Sequence, residues 1–522
     1  MWKVAPVFLQ KTGSQQIVAV KAALSRYRGS GSFMRVRRVV RVEMKVCYAG
    51  LLLMSVLAGQ SMRAQTPPVA TVAATPPMGW NSWDSYGLTI TEEQFRANVK
   101  VLATELKPSG YNYAVIDEGW FFFNPQDRSH PDTLVYAIDA NGRYVPVPAR
   151  FASAGNAAPQ IKRDPNGPIY KLALTAESTS FKPLGEYVHA HGLKFGIHIV
   201  RGIPRASVER NLPIANSAFH ATDAADTADA CPWDPTNWGV KNNAAGQAWY
   251  DSLLAQYAGW GVDLLKVDCI SSHPYKADEI RMIRKAIDKT GRPMVLSLSP
   301  GPTSLDNAAE VGELAQMWRI SDDFWDYWAS PTTKDYPQSI LGQFVKTAAW
   351  AQYAKPGNWP DADMLPLGEI RPVPGDGKPR TTRLTPTEQQ TLLTLWSMAR
   401  SPLILGANLT LLDDATLKLL TNSAVLRVDQ TATRSGQVMH NGDIIAWTAD
   451  LPPGSPDGEI ALALFNVGES QVVVNSSFEA FNIEDGAYHI KDAWTGKILG
   501  KQKSITNLTI EPHAAVLYLL KK

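Results

Sequence analysis

Residues 248–299, AWYDSLLAQYAGWGVDLLKVDCISSHPYKADEIRMIRKAIDKTGRPMVLSLS, read as helix, strand, helix, strand. Ala248–Gly259 and Ala277–Lys289 repeat their apolar positions at helical spacing. Asp263–Asp268 (DLLKVD) and Pro293–Ser299 (PMVLSLS) are short apolar runs that each end on a polar side chain. The alternation extends outward in both directions. Upstream come a strand at Asn112–Asp117 (NYAVID), a helix at Phe181–His191 and a strand at Leu193–His198 (LKFGIH). Downstream, Met317–Ile320 and Pro402–Leu405 fit further strands. Strands that alternate with helices form a parallel sheet, because each return crossing needs a helix. About 340 residues of it, from Thr75 to about Leu412, favour an eight-fold (β/α)8 TIM barrel over an open doubly wound sheet. No glycine-rich phosphate fingerprint follows any of these strands, which argues against a nucleotide-binding sheet.

Two segments depart from the pattern. Phe121–Ser180 is a long insertion of little periodicity, rich in Pro, Asn and Asp, on the face where barrel active sites lie. From about Val425 the alternation becomes period two. Asp443–Trp447, Glu459–Phe465 and Ala514–Leu520 read as short strands with turns between them, so a C-terminal antiparallel β-sandwich is expected. The expected division is residues 1–64 as an upstream segment and signal peptide, 65–420 as the barrel and 421–522 as the sandwich.

The N-terminus reads as targeting. Val46–Ala58 is an apolar run behind Arg41 and Lys45, followed by small and polar residues up to Gln65. That is the layout of a secretory signal, with Met44 as its start and cleavage near Ala64. The run is shorter than the ~20 apolar residues of a membrane span, so no span is expected after cleavage and the mature chain is expected to be secreted or periplasmic. An uncleaved membrane anchor is the alternative. Of three cysteines, Cys47 leaves with the signal; Cys231 and Cys269 remain, as a disulfide or as two buried thiols. No Cys/His spacing resembles a metal site. A net charge of +2 in 522 residues points to neither nucleic acid nor an anionic membrane as partner. Sixteen Trp and 17 Tyr suit sugar stacking, or serve as core and interface filler.

In a barrel the residues that close the strands reach the substrate. Asp117 and Glu118 close the second strand, His198 the third, Lys266 and Asp268 the fourth, and Ser297 and Ser299 the fifth; Arg319, Asp322 and Asp323 follow the sixth. Lys266 and Asp268 are two apart, so they share a face, and the lysine favours an ionised carboxylate. Asp323 then supplies a proton donor across the barrel mouth. Such a pair, about 5–5.5 Å apart, is what a retaining glycosidase uses: one carboxylate attacks the anomeric carbon, the other protonates the leaving oxygen and then deprotonates water. Singly, each aspartate is equally readable as a helix cap or an ion-pair partner. His198 reads as a packing or hydrogen-bonding residue as readily as a ligand. In Pro76–Trp83 (PPMGWNSW) the two tryptophans offer a sugar platform or pack at the rim.

These motifs together resemble glycoside hydrolase family 27, the melibiase family: PPMGWNSW (76–83), YAVIDEGW (113–120), HGLKFGIH (191–198), WGVDLLKVDC (260–269), WRISDDFWDYW (318–328), NWPDADML (358–365) and MARSPLILGANL (398–409). The resemblance implies a cofactor-free retaining exo-glycosidase that removes terminal α-D-galactosyl groups from oligo- or polysaccharides. It implies Asp268 as nucleophile and Asp323 as acid/base; Asp322, the near rival, fits neither of the family's spacings. It implies Lys266 and Arg319 as sugar-binding residues, Trp83 as the stacking tryptophan, Asp117 and Glu118 as the acids that hold the 4- and 6-hydroxyls, and a Cys231–Cys269 disulfide. Three departures bear on specificity. Glu118 stands where α-galactosidases usually have Asp, a change similar to that in members acting on β-L-arabinopyranosides. His198 stands where Tyr is usual. Ser299 is small beside the sugar 2-position, as in α-N-acetylgalactosaminidases. Both of those activities are therefore alternatives. A non-catalytic carbohydrate-binding protein on the same barrel is a further one, which the presence of both carboxylates disfavours.

Overall fold

The computed structural model describes residues 72–125, 135–155, 160–162, 171–174, 179–234, 236–334, 336–371 and 378–522. The signal read at Val46–Ala58 and its cleavage point lie outside these residues. Eight parallel strands run in spatial order β7-β6-β5-β4-β3-β2-β1-β8: β1 Met78–Asn81, β2 Tyr113–Ile116, β3 Lys194–Val200, β4 Val262–Asp268, β5 Val295–Leu298, β6 Met317–Arg319, β7 Trp359–Asp361 and β8 Leu403–Leu405. The ring closes through Leu365 just beyond β7, whose amide donates to Ile404 O at 2.8 Å and whose carbonyl accepts from Gly406 N at 3.0 Å. The helices Glu92–Val101, Lys182–Ala190, Ala244–Gly259, Ala277–Thr290, Ala308–Leu314, Ile340–Trp350, Pro386–Ala399 and Asp414–Leu420, α1–α8, alternate with the strands.

The side-chain alternation of the strands creates two apolar layers. Leu265 and Val267 of β4 and Phe195, Ile197 and Ile199 of β3 face outward into the layer shared with the helices. Tyr113, Val115, Leu264, Val295, Met317, Trp359 and Ile404 face inward and fill the barrel. Gly196 lies in that inner series because a Cβ there would come within 2.8 Å of Val115 and 3.3 Å of Leu264. Helix α4 shows the matching helical logic. Ile280, Ile283 and Ile287 make one buried stripe, each side chain contributing roughly 1.5–3 kcal/mol by burial, and Gly291 stops the helix in the left-handed region at φ 69°.

One expectation needs correction, and two small sheets were not anticipated. The insertion 121–180 is not without regular structure: Val135–Ile138, Gln160–Lys162 and Lys171–Leu174 form a small three-stranded sheet. Its strands are too short for a two-residue period to stand out. A second three-stranded sheet, Ile203–Pro204, Ala225–Ala230 and Asn237–Val240, follows β3 and was not foreseen. The change of pattern placed at Val425 comes later, because Ser423–Thr431 is a helix (α9) burying Val425, Leu426 and Val428.

The C-terminal strands are β9 Thr433–Asn441, β10 Ile444–Asp450, β11 Ile460–Asn466, β12 Val472–Ser477, β13 Tyr488–Asp492, β14 Ile498–Gln502, β15 Ser504–Ile510 and β16 Ala515–Lys521. They form a six-stranded antiparallel sheet, β9-β10-β11-β16-β13-β14, and a β12-β15 pair. Alternate residues of β11 serve two cores. Leu462 and Leu464 pack inside the sandwich with Val474, Ile505 and Ile510, while Ala461, Ala463 and Phe465 join the core of the barrel. The described residues of barrel and sandwich accordingly form one unit.

Candidate active site

Five inward series of the barrel begin apolar and end polar. Tyr113 and Val115 lead to Asp117, Leu264 to Lys266 and Asp268, Val295 and Ser297 to Ser299, Met317 to Arg319, and Trp359 and Asp361 to Asp363. The period-two rule thus brings these polar ends to the C-terminal mouth, where barrel active sites lie. They line one hollow, together with Trp83, Asp84, Glu118, Asp323, Phe324, Trp325 and Met364.

On one wall Lys266 Nζ donates to Asp117 Oδ2 at 2.9 Å, and Asn81 Nδ2 donates to the same oxygen at 2.7 Å. Burial pushes the Asp117 carboxyl up, but Lys266, His198 and the Glu118 amide outweigh it and hold Asp117 well below the usual carboxylate range. Burial lowers the Lys266 ammonium, and the surrounding carboxylates, Asp117 first, more than restore it. The pair is therefore charged and able to fix adjacent hydroxyls.

Asp268 lies at the end of β4. Its Oδ1 accepts the Cys269 amide, and its Oδ2 is 3.4 Å from His198 Nε2. Burial raises its carboxyl, but the His198 hydrogen bond, the His198 and Lys266 charges and the Cys269 amide bring it below its ordinary value. Cys269 makes that contact from the left-handed region, φ 61°, a strained conformation for a non-glycine residue. It is bonded to Cys231, 38 residues away, as a disulfide with Cα atoms 6.0 Å apart. His198 is 1% exposed and is not among the residues that line the hollow. It stands behind Asp268, and its Nδ1 is buried without a hydrogen-bond partner. Burial lowers the His198 pKa, and Asp117 and Asp268 raise it beyond its ordinary value, which favours the imidazolium.

Across the mouth, Arg319 Nη2 lies 2.7 Å from Asp363 Oδ2 and 3.4 Å from Asp323 Oδ1. Asp323 has 46% of its side chain exposed against 5% for Asp363, so Asp323 is the carboxyl of this pair with access to water and to a leaving group. Asp322 points elsewhere, to His273 Nε2 at 3.1 Å. Burial pushes the Asp363 carboxyl up to about 6, against the pull of Arg319. Two carboxyls on one hollow, Asp268 held as the anion and Asp323 open to solvent, are the parts an acid/base-assisted displacement needs. Among the described residues no group of three or more His, Cys, Asp or Glu is placed to hold a metal ion.

The structure brings Trp83, Asp117, Glu118, Lys266, Asp268, Ser299, Arg319 and Asp323 to the hollow and leaves His198 outside its lining. Sequence reasoning missed Asp84, Asp363 and Met364. Asp363 was findable, since it continues the inward series of β7 within NWPDADML, but a three-residue strand containing Pro360 shows no alternation to follow.

Residues 242–431 match the family described as α-galactosidase A, and residues 441–520 match the α-galactosidase C-terminal β-sandwich domain. A β-L-arabinopyranosidase of glycoside hydrolase family 27 from Geobacillus stearothermophilus is 40% identical, with 87% of this chain and 98% of that one covered and a TM-score of 0.75. A variant of that enzyme has been crystallised with arabinose. A candidate α-N-acetylgalactosaminidase from Bacillus halodurans is 36% identical, with 85% and 97% covered and a TM-score of 0.71. α-Galactosidase 2 of Arabidopsis thaliana is 25% identical over 456 residues, 86% of this chain and 90% of that one. The chain belongs to glycoside hydrolase family 27, the α-galactosidase or melibiase family, and ends in that family's C-terminal β-sandwich.

Proposed function

We propose that the protein is a retaining exo-glycosidase whose preferred substrates are terminal β-L-arabinopyranosides, with α-D-galactosides as its second class. β-L-Arabinopyranose is α-D-galactopyranose without the hydroxymethyl group at C5, so one arrangement of Asp117, Lys266 and Arg319 serves the shared ring hydroxyls of both. The observation that carries the preference is Glu118, 5% exposed in the wall beside Asp117. Its extra methylene takes up room that a 6-hydroxymethyl would need. The 40% identity to an arabinopyranosidase supports the same reading, while the more distant α-galactosidases support the second.

In the first step Asp268 attacks the anomeric carbon as Asp323 gives its proton to the glycosidic oxygen, which leaves as an alcohol. In the second, Asp323 takes a proton from water, whose oxygen displaces Asp268 and restores the starting configuration. Trp83 offers an apolar face to the sugar ring. Protons and charges balance over the two steps between the carboxyls and water, so the chemistry calls for no cofactor.

The test is a panel of nitrophenyl glycosides. The β-L-arabinopyranoside is expected to exceed the α-D-galactoside by about tenfold or more in kcat/KM, and Glu118→Asp is expected to narrow or reverse that ratio by a comparable factor, the value of about one methylene in a pocket. A wild type that prefers the α-galactoside, or the α-N-acetylgalactosaminide, would reverse the assignment. A ratio unmoved by Glu118→Asp would remove its steric basis.

A further inference from the structure

Asp84 is a carboxylate for which neither the fold nor the double displacement has a use. It follows Trp83 in the short helix Trp83–Tyr86 beyond β1, is 2% exposed, and lines the same hollow as Asp268 and Asp323. Its Oδ2 is buried without a hydrogen-bond partner. A buried carboxyl oxygen without a partner is costly, and a merely structural one is ordinarily satisfied. Room for it has been made by a second segment of the chain. The backbone at Gly406, just past β8, is in no region reserved for glycine, yet a Cβ there would collide with Asp84, whose side chain supplies all three nearest atoms. Gly406 is therefore small on account of Asp84.

We propose that Asp84 is a further recognition residue of the sugar pocket, hydrogen-bonding an oxygen of the bound glycone. The proposal rests on the glycosidase reading above. Asp84 sits among Asp363, Lys266, Asp117 and Asp323, so it faces the sugar between the wall that holds the hydroxyls and the wall that carries the acid/base. Burial first, and then the Asp363 charge, favour its protonated form, with Lys266 opposing. A neutral carboxylic acid donates where the charged Asp117 only accepts, so a protonated Asp84 offers the pocket a donor.

The experiment compares the full chain as wild type, Asp84→Asn, Asp84→Ala, Gly406→Ala and Asp84→Ala/Gly406→Ala. The readouts are kcat and KM on nitrophenyl β-L-arabinopyranoside, inhibition by free L-arabinose and D-galactose, and melting temperature. Asp84→Ala is expected to raise KM and both inhibition constants by about tenfold or more, the value of a buried hydrogen bond, with kcat moved much less. Asp84→Asn keeps a donor and is expected to stay within about threefold of wild type. Gly406→Ala is expected to copy Asp84→Ala, and the double variant to be no worse than Asp84→Ala alone, since the collision is gone. Unchanged sugar inhibition in Asp84→Ala, or a double variant whose loss is the product of the single losses, would overturn the proposal. Should Asp84→Ala not fold, Gly406→Ala carries the same test, because it keeps the carboxyl and moves it. A wild type that hydrolyses none of the panel and is inhibited by neither sugar would overturn the glycosidase reading and this proposal with it; an active wild type matched by Asp84→Ala would overturn this proposal alone.

Discussion

At the scale of single residues, the site rests on Asp268 staying ionised in a buried place. The hydrogen bond from His198 is the largest influence opposing the burial penalty, and it comes from outside the pocket lining. A carboxylate with a depressed pKa keeps its charge to lower pH and loses it as pH falls through the folded value. Removing the imidazole raises that value. His198→Gln is therefore expected to move the acid limb of the kcat/KM profile upward by about one pH unit, the size of effect a neighbouring charge exerts. A limb that stays in place would mean that His198 does not tune Asp268. This role was only half legible in the sequence. The spacing placed His198 at the end of the third strand, but whether it faced the sugar or the aspartate depended on the neighbouring strand's register, which pairs His198 with Lys266. Asp117, Lys266 and Asp268 were legible because each extends an apolar run by two residues on one face. Asp84 was not, because it sits in a helical turn outside any alternating run.

At the scale of elements, the loop after β6 positions the acid/base. It is pinned at both ends of Asp323: the Phe324 amide donates to Asp363 Oδ2 at 2.8 Å, and the Gln338 amide donates to Asp323 O at 2.9 Å. Further along, the fully buried Asp326 accepts from Arg380 Nη1 at 2.5 Å and Nη2 at 2.9 Å and from the Arg383 amide at 2.7 Å, tying the loop to the segment before α7. Asp326→Asn leaves Arg380 without its charge partner. It is expected to cost about 3 kcal/mol of stability and, by loosening Asp323, to lower kcat by about tenfold or more with a smaller change in KM. Equal melting temperature and kcat in the variant would show that the loop is held by other contacts. None of this anchoring was readable in WRISDDFWDYW, since every partner lies outside it, from Gln338 to Arg383. The long helices and the seven-residue strands β3 and β4 were readable because their periods run for enough residues to register, whereas β7 and the strands of the first inserted sheet are too short.

At the scale of the molecule, the barrel and the sandwich share a core, and the contact bears on the site. Phe465 of β11 meets Phe344 of α6 with ring centroids 5.0 Å apart, and Thr391 of α7 donates to His513 O at 2.6 Å. His513, between β15 and β16, stacks on Trp328 with centroids 4.0 Å apart and planes inclined by 16°. Trp328 belongs to the loop that carries Asp323, so the sandwich backs the acid/base from outside the barrel. The order barrel then sandwich was legible from the change of period. The shared core was not, because an Ala-rich outer face such as Ala461, Ala463 and Phe465 looks the same in sequence whether it meets water or a helix.

Double displacement through Asp268 passes through a covalent glycosyl-enzyme. An activated 2-deoxy-2-fluoro-β-L-arabinopyranosyl substrate slows both steps and lets the glycosyl-enzyme accumulate, and peptide mass mapping then locates the sugar. One sugar per chain is expected, bonded to Asp268. A label on Asp323, Asp363 or Asp84, or no label together with a product of inverted configuration, would contradict it.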